Sequence, residues 1–160
     1  MGWSIGPKSL IDCSMIAHQN GDCVCTTPAQ EAIARCLETE AGRIDSPECL
    51  FTVQLNQLLK KRDRLADILR SLSLKPCVPQ AGYFVLANWA EYNPSADVLG
   101  NKDDSDDFRF AKWLVKEKRV CGIPPSAFYG QNQSIATPFI RFCFFKTEEA
   151  LDRAEVLLTA

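Results

Sequence analysis

The sequence predicts a mixed α/β chain whose second half forms an α+β unit, and three observations carry that reading. Short apolar runs at Gly82–Ala87, Val120–Ile123 and Phe139–Phe145 have the length and aromatic or β-branched content of strands. The segments around them place apolar residues at three- and four-residue spacing, the pattern of amphipathic helices. One such stripe, Phe51, Leu55, Leu58, Leu65, Leu69 and Leu72 with Arg62 in the remaining slot, continues without Pro or Gly from Glu48 to Lys75.

Taken in order, Gly2-Trp3-Ser4-Ile5-Gly6-Pro7 reads as a strand closed by a Gly-Pro turn, and Leu10, Ile11, Met15 and Ile16 give a short helical face. A chain that opens on a strand with no partner before it suggests that part of the sheet precedes it. Thr27-Pro28-Ala29-Gln30 starts the next helix, with Thr27 as N-cap, Pro28 in the first position and Gln30 closing a capping box. Asp45-Ser46-Pro47-Glu48 starts the long helix in the same way. At about 1.5 Å per residue it reaches on the order of 35–40 Å, enough to link two subdomains.

From Lys75 the pattern changes. Lys75–Pro79 is an extended piece, Gly82–Ala87 a strand, and Tyr92–Lys102 a polar loop. Asp103, Asp104, Asp106 and Asp107 lack the Gly and terminal Glu of a calcium loop, and read as acids complementing a helix start capped by Ser105. That helix is expected to turn Phe108, Ala111, Leu114 and Val115 inward. Strand Val120–Ile123, a loop from Ser126 to Thr137, strand Phe139–Phe145 and a helix capped at Thr147 complete a β, β, α, β, β, α order.

At 160 residues the chain holds one domain or two small ones. Its 46% hydrophobic and 24% charged residues are those of an ordinary globular protein, and the net charge of −2, with no basic stripe, argues against nucleic acid and anionic membrane as partners. No apolar run is long enough to span a bilayer, and Met1–Leu10 lacks the pattern of a signal peptide. Without that signal, the eight cysteines read as reduced thiols, with Cys36, Cys121 and Cys143 expected in the core. Cys23 and Cys25 with His18 fall one ligand short of a structural zinc set, so no metal is expected.

The residue that stands out is Arg141, an obligate cation within Phe139-Ile140-Arg141-Phe142-Cys143-Phe144-Phe145. Its planar fork suits a carboxylate held by two parallel hydrogen bonds. On composition alone, an internal Asp or Glu partner, or an arginine snorkelling from an edge strand, is the commoner account. The loop stiffened by Pro124-Pro125 just before this strand is where a ligand would be met.

Four stretches occur in the same order in one family: TTPAQEAIA (Thr26–Ala34), VPQAGYFVLAN (Val78–Asn88), KWLVKEKRVCGIPPSAFY (Lys112–Tyr129) and FIRFCFFKTEEALDRAE (Phe139–Glu155). With Asp45-Ser46-Pro47-Glu48-Cys49, they make the chain resemble the C-terminal part of the kynurenine aminotransferases and cysteine-S-conjugate β-lyases, fold-type I enzymes dependent on pyridoxal phosphate (PLP). The resemblance implies a fragment of the PLP-dependent transferase fold. Residues 1–44 would end the large PLP-binding domain, 45–74 form an interdomain helix, and 75–160 make a small α+β domain. It implies transfer of an amino group from kynurenine, glutamine or a related amino acid to a 2-oxo acid, in a homodimer of the cytoplasm or mitochondria, with cysteine-conjugate β-elimination as a side activity. Arg141 matches the arginine that grips the substrate α-carboxylate.

The family lysines that form the Schiff base and contact the cofactor phosphate match positions before Met1, and none of the lysines present takes their place. The chain by itself is therefore expected to carry no covalent cofactor site. Where the family has an aromatic followed by His or Thr, reaching the neighbouring subunit's site, this sequence has Cys23-Val24, a smaller and apolar wall. The alternative is a non-catalytic short form that binds a carboxylate or interferes with dimers.

Overall fold

Alternation in two neighbouring strands fixes the architecture. In β2 (Phe84–Asn88) and β3 (Phe139–Cys143) every second residue is buried, Val85 and Ala87 on one and Ile140 and Phe142 on the other. They pair antiparallel with Val85 opposite Phe142 and Ala87 opposite Ile140, so all four side chains share one face. The computed structural model describes residues 2–21, 24–92, 94 and 103–159. β1 (Lys75–Cys77) completes a three-stranded sheet in the order β1-β2-β3. On the far side of β3, Ile123 alone bridges to Arg141, so the expected strand Val120–Ile123 is reduced to one pairing residue.

The chain divides into two compact units, residues 1–53 and 54–160. In the second, the apolar face of the sheet is covered by Leu65, Ile68 and Leu69 of α3 (Leu50–Ser71), Phe110, Ala111 and Leu114 of α4 (Asp106–Trp113) and the turn that continues it, and Leu158 near the chain end. Trp89 stacks on Phe110 at 4.6 Å between ring centroids, with an interplanar angle of 6°. After Trp113 the helix widens into a π-helical turn, Leu114–Lys118. Val115, inside that turn, is exposed. Phe108 is exposed too, because the buried side of α4 runs through Asp107, Phe110, Ala111 and Leu114, so Phe110 takes the core position expected of Phe108. Gly122 is set so close to β3 that a Cβ there would lie 2.4 Å from Ile140 Cγ1.

α5 (Gln133–Ala136) precedes β3, and α6 (Glu148–Thr159) follows it, with the Ala150 N–H donating to Thr147 Oγ1 at 3.3 Å as the capping pattern requires. Arg64 of α3 binds Glu148, Asp152 and Glu155 of α6, and Lys61 Nζ donates to the Lys146 carbonyl, fixing α6 against α3.

In the first unit, residues 2–7 form no strand, and Trp3 and Ile5 are exposed. Two apolar side chains in six residues, with no neighbouring strand among the described residues, do not sustain a ladder. α1 (Lys8–Asn20) buries no residue. α2 (Thr27–Ala41) has Thr26 at its N-cap position, one residue earlier than expected and with no cap bond from its side chain, and Gln30 Nε2 donates to the Cys25 carbonyl instead of closing a box. α3 likewise begins at Leu50 rather than beside Pro47. Its first N–H donates to Glu40 Oε2 of α2 at 2.7 Å, while Ser46 heads only a local turn. Of the cysteines expected inside, Cys36 and Cys121 are exposed and Cys143 is half-buried; Cys49 is buried. Cys143 falls on the outward register of β3, Cys121 on the exposed side of the stretch before Ile123, and α2, which carries Cys36, buries only Glu40.

Candidate substrate-carboxylate site

The second face of the sheet carries the site. Leu86, Arg141 and Ile123 stand in one row across the ladder, since Arg141 pairs with Leu86 on one side and exchanges both backbone hydrogen bonds with Ile123 on the other. These side chains point away from the core face, and none of the three is fully buried. β3 is held rigidly from behind by Ile140 and Phe142, so the Arg141 Cα has a fixed position.

Two aromatic rings bracket the guanidinium. Its central carbon lies 4.3 Å from the centroid of Phe84, the diagonal neighbour on β2, and 4.5 Å from that of Phe128. Phe128 ends a 3₁₀ turn, Pro125–Phe128, which the Pro-rich loop builds beside the strand. Arg141 Nε is buried and has no hydrogen-bond partner, and no carboxylate pairs with the side chain among the described residues. Of the open explanations for this arginine, an internal acid is therefore absent from the described residues, and the Phe84 and Phe128 rings hold the head in place of free snorkelling. Ring faces compensate a cation only in part, by about 0.5–2 kcal/mol each. The unpaired in-plane donors remain suited to a planar, two-oxygen anion.

Sequence reasoning missed what holds Phe128. Asp107, read as one of four acids complementing a helix start, is 0% exposed. Its carboxylate accepts from the Ser126 N–H at 2.8 Å, from Ser126 Oγ at 2.9 Å and from Ser105 Oγ at 2.6 Å. The signal available was the register: Asp107 precedes Phe110, Ala111 and Leu114 on the buried side of α4 at three- and four-residue spacing. Beside β3 an open groove of about 550 Å³ is lined by Arg141, Cys121, Cys143, Arg119, Lys146 and Arg153 with an apolar floor. Val24, the other residue singled out by the sequence, is exposed between α1 and α2; Cys23 lies outside the described residues.

The sequence pattern of the family described as aminotransferase class I and II matches residues 1–156. The chain belongs to that family. It is 40% identical to kynurenine–oxoglutarate transaminase 3 of Bos taurus across 100% of its own length and 35% of the relative's. Against kynurenine–oxoglutarate transaminase 1 of Mus musculus it is 38% identical, over 96% of this chain and 37% of that one. The chain thus spans about a third of the length of the curated relatives it matches.

Among solved structures it is similar to N-succinyldiaminopimelate aminotransferase from Mycobacterium tuberculosis, with a TM-score of 0.72 and 28% identity over 99% of this chain and 36% of that one. It is also similar to YbdL from Escherichia coli, for which a methionine aminotransferase function is described, with a TM-score of 0.66 and 30% identity over 88% and 32%. The mixed α/β architecture is accordingly part of the PLP-dependent aminotransferase fold.

The family works with PLP. The Arg141 bracket fits a carboxylate, not that cofactor: a pyridinium ring needs an acid at its nitrogen and a donor cluster at its phosphate. Arg141 is instead surrounded by Phe84, Phe128, Leu86 and Ile123.

Proposed function

We propose that this chain is the C-terminal, substrate-gripping portion of a PLP-dependent aminotransferase of the kynurenine–oxoglutarate type. In this reading it moves an amino group from kynurenine, glutamine or a related amino acid to a 2-oxo acid, with cysteine-conjugate β-elimination as a side activity. The observation that carries the reading is the bare, buried Nε of Arg141 between two phenyl rings on a rigid strand. Amino donor and oxo-acid acceptor share one feature next to the reacting carbon, an α-carboxylate. One anchor therefore serves both halves of the transfer, holding the reacting carbon in a fixed orientation. PLP supplies the electron sink of such chemistry, held by groups other than the Arg141 bracket.

The exposed Val24, with Cys23 beside it, is proposed to wall the neighbouring subunit's site in a homodimer, and the cytoplasm or mitochondrion is the proposed compartment. The high identity to two kynurenine–oxoglutarate transaminases over nearly the whole chain supports the substrate class.

The test is an Arg141 series in the complete PLP-loaded polypeptide. Arg141→Ala is expected to cost about 3–5 kcal/mol in kcat/KM, the scale of removing one member of a desolvated, hydrogen-bonded charge pair. Arg141→Lys should recover only part, because an ammonium cannot reproduce a two-point grip. Melting temperature should hardly fall, as no internal acid among the described residues loses a partner. A destabilised but fully active Arg141→Ala enzyme refutes the anchor.

A further inference from the structure

Phe128 poses a physical problem. It is 64% exposed, so its own burial does not hold it against Arg141. The turn that carries it is only four residues long, and short 3₁₀ segments have little intrinsic stability. Yet Pro125 and Ser126, at the other end of the same turn, are buried. Something must fix the turn from below, and Asp107 is the group in contact with it.

Asp107 is a fully buried carboxylate with no cation paired to it among the described salt bridges. Burying it that way is costly unless its lone pairs are filled. They are filled by three donors, two of which belong to Ser126, one from backbone and one from the hydroxyl. Its place in the first turn of α4 sets the negative charge at the favourable end of the helix dipole. Apolar packing of the same turn would tolerate sliding; two bonds from one carboxylate to both donors of one residue specify a single position. Two residues beyond that fixed point is Phe128, and its ring lies over the guanidinium.

We propose that Asp107 is a positioning residue for the carboxylate anchor: by clamping Ser126 it fixes the turn that lays Phe128 against Arg141, and so sets the orientation in which Arg141 meets an α-carboxylate. This rests on the reading of Arg141 given above, and the residue acts through Ser126 and Phe128 without touching substrate.

The experiment is a cycle of Asp107→Leu, Phe128→Ala and the double variant in the complete PLP-loaded polypeptide, with Arg141→Ala alongside. Phe128→Ala should raise KM for both the amino acid and the 2-oxo acid by about three- to tenfold, the scale of one cation–π contact, with Tm nearly constant. Asp107→Leu keeps the size of the side chain and removes every acceptor, leaving the Ser126 N–H unmet. It should raise KM by no more than Phe128→Ala does, and also lower Tm. If Asp107 acts through Phe128, the double variant has the KM of Phe128→Ala alone. Multiplying KM effects overturn the proposal, as does an Asp107→Leu enzyme with lowered Tm and unchanged KM.

Hydrogen exchange gives a readout free of turnover. The Ser126 and Tyr129 amides should exchange faster in Asp107→Leu and stay protected in Phe128→Ala; protection retained in Asp107→Leu refutes the clamp. Should Asp107→Leu fail to fold, Ser126→Ala removes one of the three bonds and must show the same two effects at smaller size. An Arg141→Ala enzyme with unaltered KM would instead remove the anchor reading itself, an outcome separate from either of these.

Discussion

Adding one methyl group at Gly122 tests how tightly the fold holds the site. The Cβ of Gly122→Ala would lie 2.4 Å from Ile140 Cγ1, 3.0 Å from Ile140 Cδ1 and 3.3 Å from Phe142 Cε1. Carbon atoms rest at about 3.5–4.0 Å, so the first contact intrudes by more than about 1 Å. Ile140 is 0% exposed and pairs in the middle of the sheet with Ala87, which leaves it little room to withdraw. Overpacking of this kind costs about 1–3 kcal/mol. For a unit of this size that lowers Tm by roughly 5–20 °C.

Any relief must come from the strand moving off, and the next residue, Ile123, exchanges both its hydrogen bonds with Arg141. KM for the carboxylate substrates should therefore rise together with the fall in Tm. Thermal melts in an Ile140→Ala background identify the cause. That change alone costs about 2–5 kcal/mol as a cavity. It also removes the clashing atoms, so Gly122→Ala should then cost at least about 1 kcal/mol less than in the parent. Equal costs in both backgrounds would show that the close approach to Ile140 is not what requires glycine.

Two further outcomes follow from charges and backbone elsewhere. The Arg43 guanidinium, and then the Leu50 N–H, hold the Glu40 carboxyl at about 2, below its ordinary 4.5. A carboxyl depressed on folding contributes stability that is complete above about 4.5 and lost as pH falls toward 2. The start of α3 should therefore lose exchange protection in that window, and Glu40→Gln should abolish this acid step; an identical profile in the variant contradicts the cap. Ser73 holds a φ of 61° just after α3, where the Leu74 N–H reaches the Leu69 carbonyl at 3.0 Å. Ser73→Gly should stabilise by roughly 0.5–1 kcal/mol, the left-handed penalty less glycine's extra chain entropy, and a loss in urea midpoint would count against it.

What the sequence made legible was whatever local chemistry alone decides. The long leucine stripe gave α3, apolar and aromatic runs gave β2 and β3, Ser105 occupies the N-cap position of α4, and the cap at Thr147 stands where the side-chain pattern put it. Features decided by distant residues were not legible. Glu40 caps a helix ten residues ahead of it, so Ser46-Pro47 looked like the start. Burial of Asp107 by distant Ser126 goes with a helix face that carries Phe110 rather than Phe108 into the core.

The site divides the same way. Arg141 was visible as a cation in an aromatic strand, while its bracket was not, because Phe84 and Phe128 reach it from a neighbouring strand and a loop turn. Asp107 was read only as an acid complementing a helix start, because its partner, Ser126, lies 19 residues away.

The most direct measurement is a crystal structure of the complete PLP-loaded polypeptide with a 2-oxo acid or unreactive amino-acid analogue bound. The account predicts both carboxylate oxygens about 2.7–2.9 Å from nitrogens of Arg141, with Phe84 and Phe128 still against the guanidinium. A carboxylate held by another cation, with Arg141 unengaged between its two rings, would contradict it.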